Sequence, residues 1–234
     1  MPLDLARVRL ICFDVDGTLR DTDDQFVQRL EVWLRPARLL FRGRDPRPFA
    51  RWLVMKSETP GSLLFGLPDR LGLDAPLARL GDLLYNLGLE KTETHFLVVQ
   101  GVQAMLAALC SHYPLAVVSA RGERNTLAFL SQSGLQEYFE QIVTGQTCRY
   151  TKPYPHPILY AARAMGVAPE AVLMVGDTTV DIRAGKAAGA QTVGVLCGFG
   201  QEAELRREGA DLILSATPDL LPLLLDGRQD PSAG

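Results

Sequence analysis

LICFDVDGTL, residues 10–19, begins as a short apolar run and ends in two aspartates two positions apart, followed by a glycine and a threonine. Leu10, Ile11, Cys12 and Phe13 suit a strand covered on both faces, and Gly17 can supply the turn that follows it. Side chains alternate along a strand, so Asp14 and Asp16 start on one side, where like charges repel unless a cation lies between them. The acids therefore stand at a strand's carboxyl end, the edge at which open parallel sheets bind ligands. A calcium loop is excluded. Counted from Asp14, it would place Gly at about position 6 and Glu at about position 12, where this chain has Leu19 and Gln25. An Asp-rich turn is the plain alternative, and the rest of the chain has to decide.

From Gly101 onward, strand-like and helix-like segments alternate: GVQAMLAALCSH, PLAVVSA, GERNTLAFLSQSGL, QIVTG, HPILYAARAMGV, AVLMVGD, VDIRAGKAAG and QTVGVL. PLAVVSA, AVLMVGD and QTVGVL are short, Val-rich and bounded by turn residues, while LAFLSQSGL and ILYAARAMGV carry helical spacing. Such alternation predicts a parallel sheet with crossover helices. A first strand over residues 9–14 belongs with them, although about 80 residues of helical periodicity intervene. Within that block, residues 23–41 and 74–91 read best as helices, the first kinked or broken at Pro36. The predicted fold is α/β: a doubly wound, Rossmann-like parallel-sheet core (1–19 and 99–228), an inserted all-helical cap (20–98) and a frayed tail (229–234).

A chain of 234 residues with 47% hydrophobic and 22% charged residues is ordinary for a soluble globular protein. A net charge of −3 gives no reason to expect a nucleic-acid binder. Cys12, Cys110, Cys148 and Cys197 form no close pair, which suggests neither a zinc knuckle nor a disulfide framework. No apolar run reaches about 18 residues, so no membrane partner is expected, and reduced thiols point to a cytoplasmic protein.

Every core strand should deliver its carboxyl end to the edge that holds Asp14. There PLAVVSA contributes Ser119, followed by Ala120 and Gly122, whose amides could approach an anion. YTKPYPHP offers Lys152, a point charge suited to phosphate or carboxylate oxygens. VLMVGDTTVD supplies Asp177 and Asp181. Together with Asp16 and Thr18, these form an oxygen-rich shell that suits magnesium, with the lysine offsetting part of the negative charge.

DVDGT, a Ser at the end of the next core strand, KPxP and GDxxxD resemble, in order, the four motifs of the haloacid dehalogenase superfamily. VQGVQAMLAAL, KPYPHPILYAARAMGV, GVLCGFGQEAEL and GADLILSATPDLLPLL extend the resemblance to its phosphoglycolate phosphatase-like branch. The likeness covers the core, while the helical block matches by position and character as a cap. Two details depart from that branch: Ser119-Ala120-Arg121 replaces Thr-Asn-Lys, and FLVVQGV lacks the usual proline before Gly101.

The resemblance implies a magnesium-dependent phosphatase acting on a small phosphorylated metabolite, phosphoglycolate or a sugar phosphate, as a monomer or homodimer. It assigns Asp14 as nucleophile and Asp16 as acid and base, with Thr18 fixing the loop or helping to orient Asp16. Asp14, the Asp16 carbonyl and Asp177 would hold Mg2+, with Asp181 supporting through water or from behind the ligands. Thr18, Ser119, Ala120 and Lys152 would hold phosphate oxygens. Asp16 argues against a dehalogenase, which has no oxygen leaving group to protonate, and against a receiver domain, whose phosphoaspartate must persist. A phosphomutase resembling β-phosphoglucomutase and a catalytically inactive binding protein on the same fold are the alternatives.

GFGQEA, residues 198–203, fits a dinucleotide pattern but leaves too little chain to complete that fold, and reads instead as a loop near the site. His95, His112 and His156 have no ligand spacing, and only His156 falls near the site in sequence. Residues 35–56 hold seven basic residues and one acid, among them Arg35, Arg38 and Arg42 at helical spacing. A solvated helix face is the plain reading of that cluster, and recognition of an anionic substrate the sharper one.

Overall fold

The computed structural model describes residues 3–21 and 96–226. The predicted cap helices, the basic cluster, His95 and the tail lie outside the described residues. Six strands alternate with helices in chain order: β1 (Leu10–Phe13), α1 (Val102–Leu109), β2 (Leu115–Val118), α2 (Glu123–Gln132), β3 (Gln141–Val143), α3 (His156–Ala164), β4 (Val172–Gly176), α4 (Thr179–Ala188), β5 (Gln191–Val195), α5 (Glu202–Arg207), β6 (Leu212–Leu214) and α6 (Leu220–Asp226). They form one parallel sheet in the order β3-β2-β1-β4-β5-β6.

The predicted strand over residues 9–14 is present as Leu10–Phe13, all four residues buried. Alternation along it divides the core between the sheet's two faces. Leu10 and Cys12 pack with Ile158 and Ala161 of α3 and Ala184 and Ala188 of α4. Ile11 and Phe13 pack with Met105, Leu106 and Leu109 of α1, Phe129 of α2, and Leu220 and Leu224 of α6. Burying each large side chain of this strand stabilises the fold by about 1.5–3 kcal/mol, so the central strand is held by hydrophobic burial as well as by its ladders. The sixth strand, Leu212–Leu214, is too short to show any period and is not legible in the sequence.

This strand order reverses direction between β1 and β4, which makes their carboxyl ends the switch point of the sheet. Phe13 pairs with Val175, and the Asp14 amide donates to the Val175 carbonyl at 2.9 Å. Asp14 and Asp177 thus leave neighbouring strands at the same edge. On the other side of β1, the Ser119 amide donates to the Val143 carbonyl at 2.9 Å and fixes the end of β2. Residues 19–21 and 97–99 run side by side, with Asp21 N donating to Leu97 O at 2.9 Å and Val99 N to Leu19 O at 3.0 Å.

Candidate active site

Past Phe13 the backbone stops being a strand. The Val15 carbonyl accepts from Leu19 N at 2.9 Å and Arg20 N at 2.8 Å, and Gly17 takes a left-handed φ of 74°. This turn separates the two aspartates that strand alternation places on one side. No single cation bridges them among the described residues: Asp14 pairs with Lys152, and Asp16 with Arg121.

Lys152 arrives from the loop after β3. Its Nζ lies 2.6 Å from Asp14 Oδ1 and 2.6 Å from Asp181 Oδ1, with all three side chains largely buried. Asp181 is also the N3 residue of the α4 capping box, whose N-cap is Thr178: its Oδ2 accepts from Thr178 N at 3.0 Å and from Thr178 Oγ1 at 2.7 Å. Both of its oxygens are therefore engaged.

Asp177 follows β4 and is fully buried. Its Oδ2 accepts from the Phe199 amide at 2.8 Å, and its Oδ1 from Thr18 Oγ1 at 3.3 Å. Backbone approaches it so closely that a Cβ on Gly17 would sit 2.2 Å from Asp177 Oδ2, and one on Gly198 2.1 Å. Only glycine leaves room at either place. The GFG segment thus wraps Asp177, in keeping with its reading as a loop near the site. Thr18 directs its hydroxyl to Asp177 rather than Asp16, while its carbonyl accepts from Thr217 Oγ1 at 2.7 Å, which ties the loop down.

Burial pushes the Asp14 carboxyl up to about 7; the neighbouring Lys152 pulls against this, and the negative Asp181 and Asp16 add to the rise. Burial alone would pull Lys152 down, but the two carboxylates hold it above its usual range, so it stays an ammonium. Asp14, Asp177 and Asp181 each present an oxygen within 4.8 Å of the others. Three carboxyl groups face one ammonium there, and oxygen-only donors at this spacing fit a hard divalent cation. The Asp16 carboxylate is not part of that group.

Asp16 instead faces two guanidinium groups. Arg121 Nε donates to its Oδ2, and Arg20 Nη1 lies 3.6 Å from its Oδ1. Arg20 is itself buried, its guanidinium 4.9 Å from the ring centre of Phe96. Ser119 is buried at the end of β2 and its Oγ accepts from Arg121 N at 3.1 Å, while Ala120 is exposed beside it. Sequence reasoning did not identify Arg20, or the Phe199 amide, as part of this edge. Its only pointer to Arg121 was the departure from Thr-Asn-Lys. His156 begins α3 on the outside, 5.1 Å from the ring of Tyr150, and His112 is exposed.

Residues 78–195, half of the chain, match the family model of haloacid dehalogenase-like hydrolases. The chain belongs to that family. Among relatives of this hydrolase is the phosphoglycolate phosphatase of Nitrosococcus oceani, 28% identical over 94% of this chain and 98% of its own. The phosphoglycolate phosphatase of Escherichia coli O157:H7 is 27% identical over 93% and 92%. A crystal structure of a HAD family hydrolase from Deinococcus radiodurans, with bound phosphate and sodium, has the same fold at a TM-score of 0.66 and 23% identity, over 94% of this chain and 96% of that one. Among the described residues, no helix of this hydrolase is long and apolar enough to cross a membrane.

Proposed function

We infer that this hydrolase is a magnesium-dependent phosphatase of small phosphate monoesters. The observation that carries the reading is the buried Asp14–Lys152–Asp181 triad beside Asp177 at the switch point of the sheet. Asp14 attacks phosphorus in line. A bond forms from its carboxylate oxygen to phosphorus and the bond to the alcohol oxygen breaks, dividing a hard hydrolysis into two easier steps. Asp16 gives its proton to the departing alcohol. It then takes one from the water that displaces Asp14 from the aspartyl-phosphate.

Lys152 lies between negative groups at every stage and offsets the repulsion between Asp14 and the phosphoryl oxygens. Ser119 Oγ and the amide of Ala120 hold those oxygens from the β2 side, with Thr18 keeping the nucleophile loop in place. Asp14, Asp177 and the Asp16 carbonyl would hold magnesium, with Asp181 acting through Lys152 and the α4 capping box. When bound, the ion screens the charge of the nucleophile from that of the phosphate. The relatives' name makes phosphoglycolate the leading substrate, with sugar phosphates next. Four free thiols suit a reducing compartment, and we place the enzyme in the cytoplasm.

The test is inorganic phosphate release from a panel of monoesters with and without magnesium, together with mass analysis of the peptide bearing Asp14 after acid quench. Magnesium-dependent release with one phosphoryl group on that peptide is expected. Isomerisation of a sugar phosphate without net release would instead favour a mutase, and activity that survives chelation would refute the metal reading.

A further inference from the structure

Arg121 differs from the other cations of this edge in being partly open. Its side chain is 31% exposed and that of Asp16 24%, against 3% for Lys152. The Nε edge of the guanidinium is committed to Asp16 Oδ2, and among the described residues no hydrogen bond from Nη1 or Nη2 is found. Its backbone is held on both sides: the amide donates to Ser119 Oγ at 3.1 Å and the carbonyl accepts from Gly145 N at 2.8 Å. A guanidinium is a planar fork with two bidentate edges, so one edge can orient a carboxylate while the other receives a second planar anion.

We propose that Arg121 is a specificity-determining residue, which binds a carboxylate on the substrate through its Nη edge while its Nε edge orients Asp16. The inference rests on the phosphatase reading above and deepens it. Asp16 acts at the leaving oxygen, so a group bound to the same guanidinium lies on the leaving-group side of the scissile bond. The substrate class is then a phosphomonoester whose alcohol carries a carboxylate within a few bonds of the ester oxygen. A neutral alcohol of the same size leaves that edge of Arg121 to water.

Binding and turnover separate this inference from the reading beneath it. The binding probes are 3-phosphonopropionate, which keeps a phosphonate and a carboxylate but cannot be hydrolysed, and propylphosphonate, which lacks the carboxylate. Titrated into wild type, Arg121→Gln and Arg121→Lys with magnesium present, the preference for the carboxylated probe should fall roughly tenfold or more in the glutamine variant. The lysine variant, which keeps charge without the fork, should fall between. The ratio of kcat/KM for phosphoglycolate to that for 2-hydroxyethyl phosphate should follow the same order, whatever happens to the rate common to both.

An unchanged preference in Arg121→Gln, with both probes or both substrates affected alike, would overturn the proposal and leave Arg121 as a positioning residue for Asp16. Loss of preference in binding without phosphate release by wild type would support the anion site while refuting the phosphatase reading. Circular dichroism of each variant, with the lysine variant as the conservative case, separates lost recognition from lost fold.

Discussion

Lys152 Nζ lies 2.6 Å from Asp14 Oδ1, although the two residues are 138 positions apart in the chain. The same nitrogen lies 2.6 Å from Asp181 Oδ1, so a single ammonium compensates two buried carboxylates. Removing one partner of a buried ion pair leaves an uncompensated charge, which costs more than the pair itself contributes.

Lys152→Met should therefore destabilise the metal-free protein by about 3–5 kcal/mol in urea denaturation, as well as abolish turnover. Added magnesium should recover more stability in this variant than in wild type, because a second cation then faces the same carboxylates. Equal magnesium responses would count against a shared site.

Asp14→Asn should eliminate phosphate release while leaving the fold intact, since an amide is no nucleophile. Asp16→Asn should instead slow turnover by roughly 10²- to 10⁴-fold. With a good leaving group such as p-nitrophenol it should show a burst of one equivalent. Equal impairment of both steps with every leaving group would remove Asp16 from its acid and base roles.

Asp177→Ala should raise the magnesium requirement more than Asp181→Ala, because Asp181 already faces the Lys152 ammonium, whose charge competes with the ion, whereas Asp177 accepts from neutral donors, the Phe199 amide and the Thr18 hydroxyl. Asp181→Ala should show its effect in stability as well, losing the N3 half of the α4 capping box at a cost of about 1 kcal/mol. Magnesium titrations of activity and urea melts of the two variants resolve the difference.

Gly198→Ala should raise the magnesium requirement roughly tenfold, as expected when a group that orients a ligand is disturbed. The added Cβ would fall 2.1 Å from Asp177 Oδ2, so either the carboxylate or the loop must move. An unchanged requirement would mean that the loop yields and Asp177 does not.

Away from the site, Asp211 accepts from Lys186 Nζ, from Thr192 N at 2.8 Å and from Thr192 Oγ1 at 3.0 Å. Burial works against its ionisation, but those hydrogen bonds prevail and hold its carboxyl below the usual carboxylate range. Its stabilising effect is therefore present above the unfolded value, about 4, and is lost as pH falls through the lower folded value. Asp211→Asn should cost about 1–2 kcal/mol at neutral pH, the exposure of Lys186 keeping the loss modest. The gap from wild type should close below about pH 4. A gap that stays constant from neutral pH into acid would show that the charge is not the cause.

Local pattern determined much of this protein. Short apolar runs, three of them Val-rich, are enough to locate five of the six strands found among the described residues, because burial imposes a pattern that the chain must carry in its own residues. Asp14, Ser119, Lys152 and Asp177 were legible for the same reason: each follows a strand, and parallel strands deliver their ends to one edge. What only tertiary structure decided is how these groups pair. Strand alternation puts Asp14 and Asp16 together, but the turn on the Val15 carbonyl parts them, one to Lys152 and the other to Arg121. The Phe199 amide reaches Asp177, and Thr18 turns to that same carboxylate, because loops after different strands meet there. Such pairings depend on the approach of segments more than a hundred residues apart, or of backbone groups with no side-chain signature, and no local period records either.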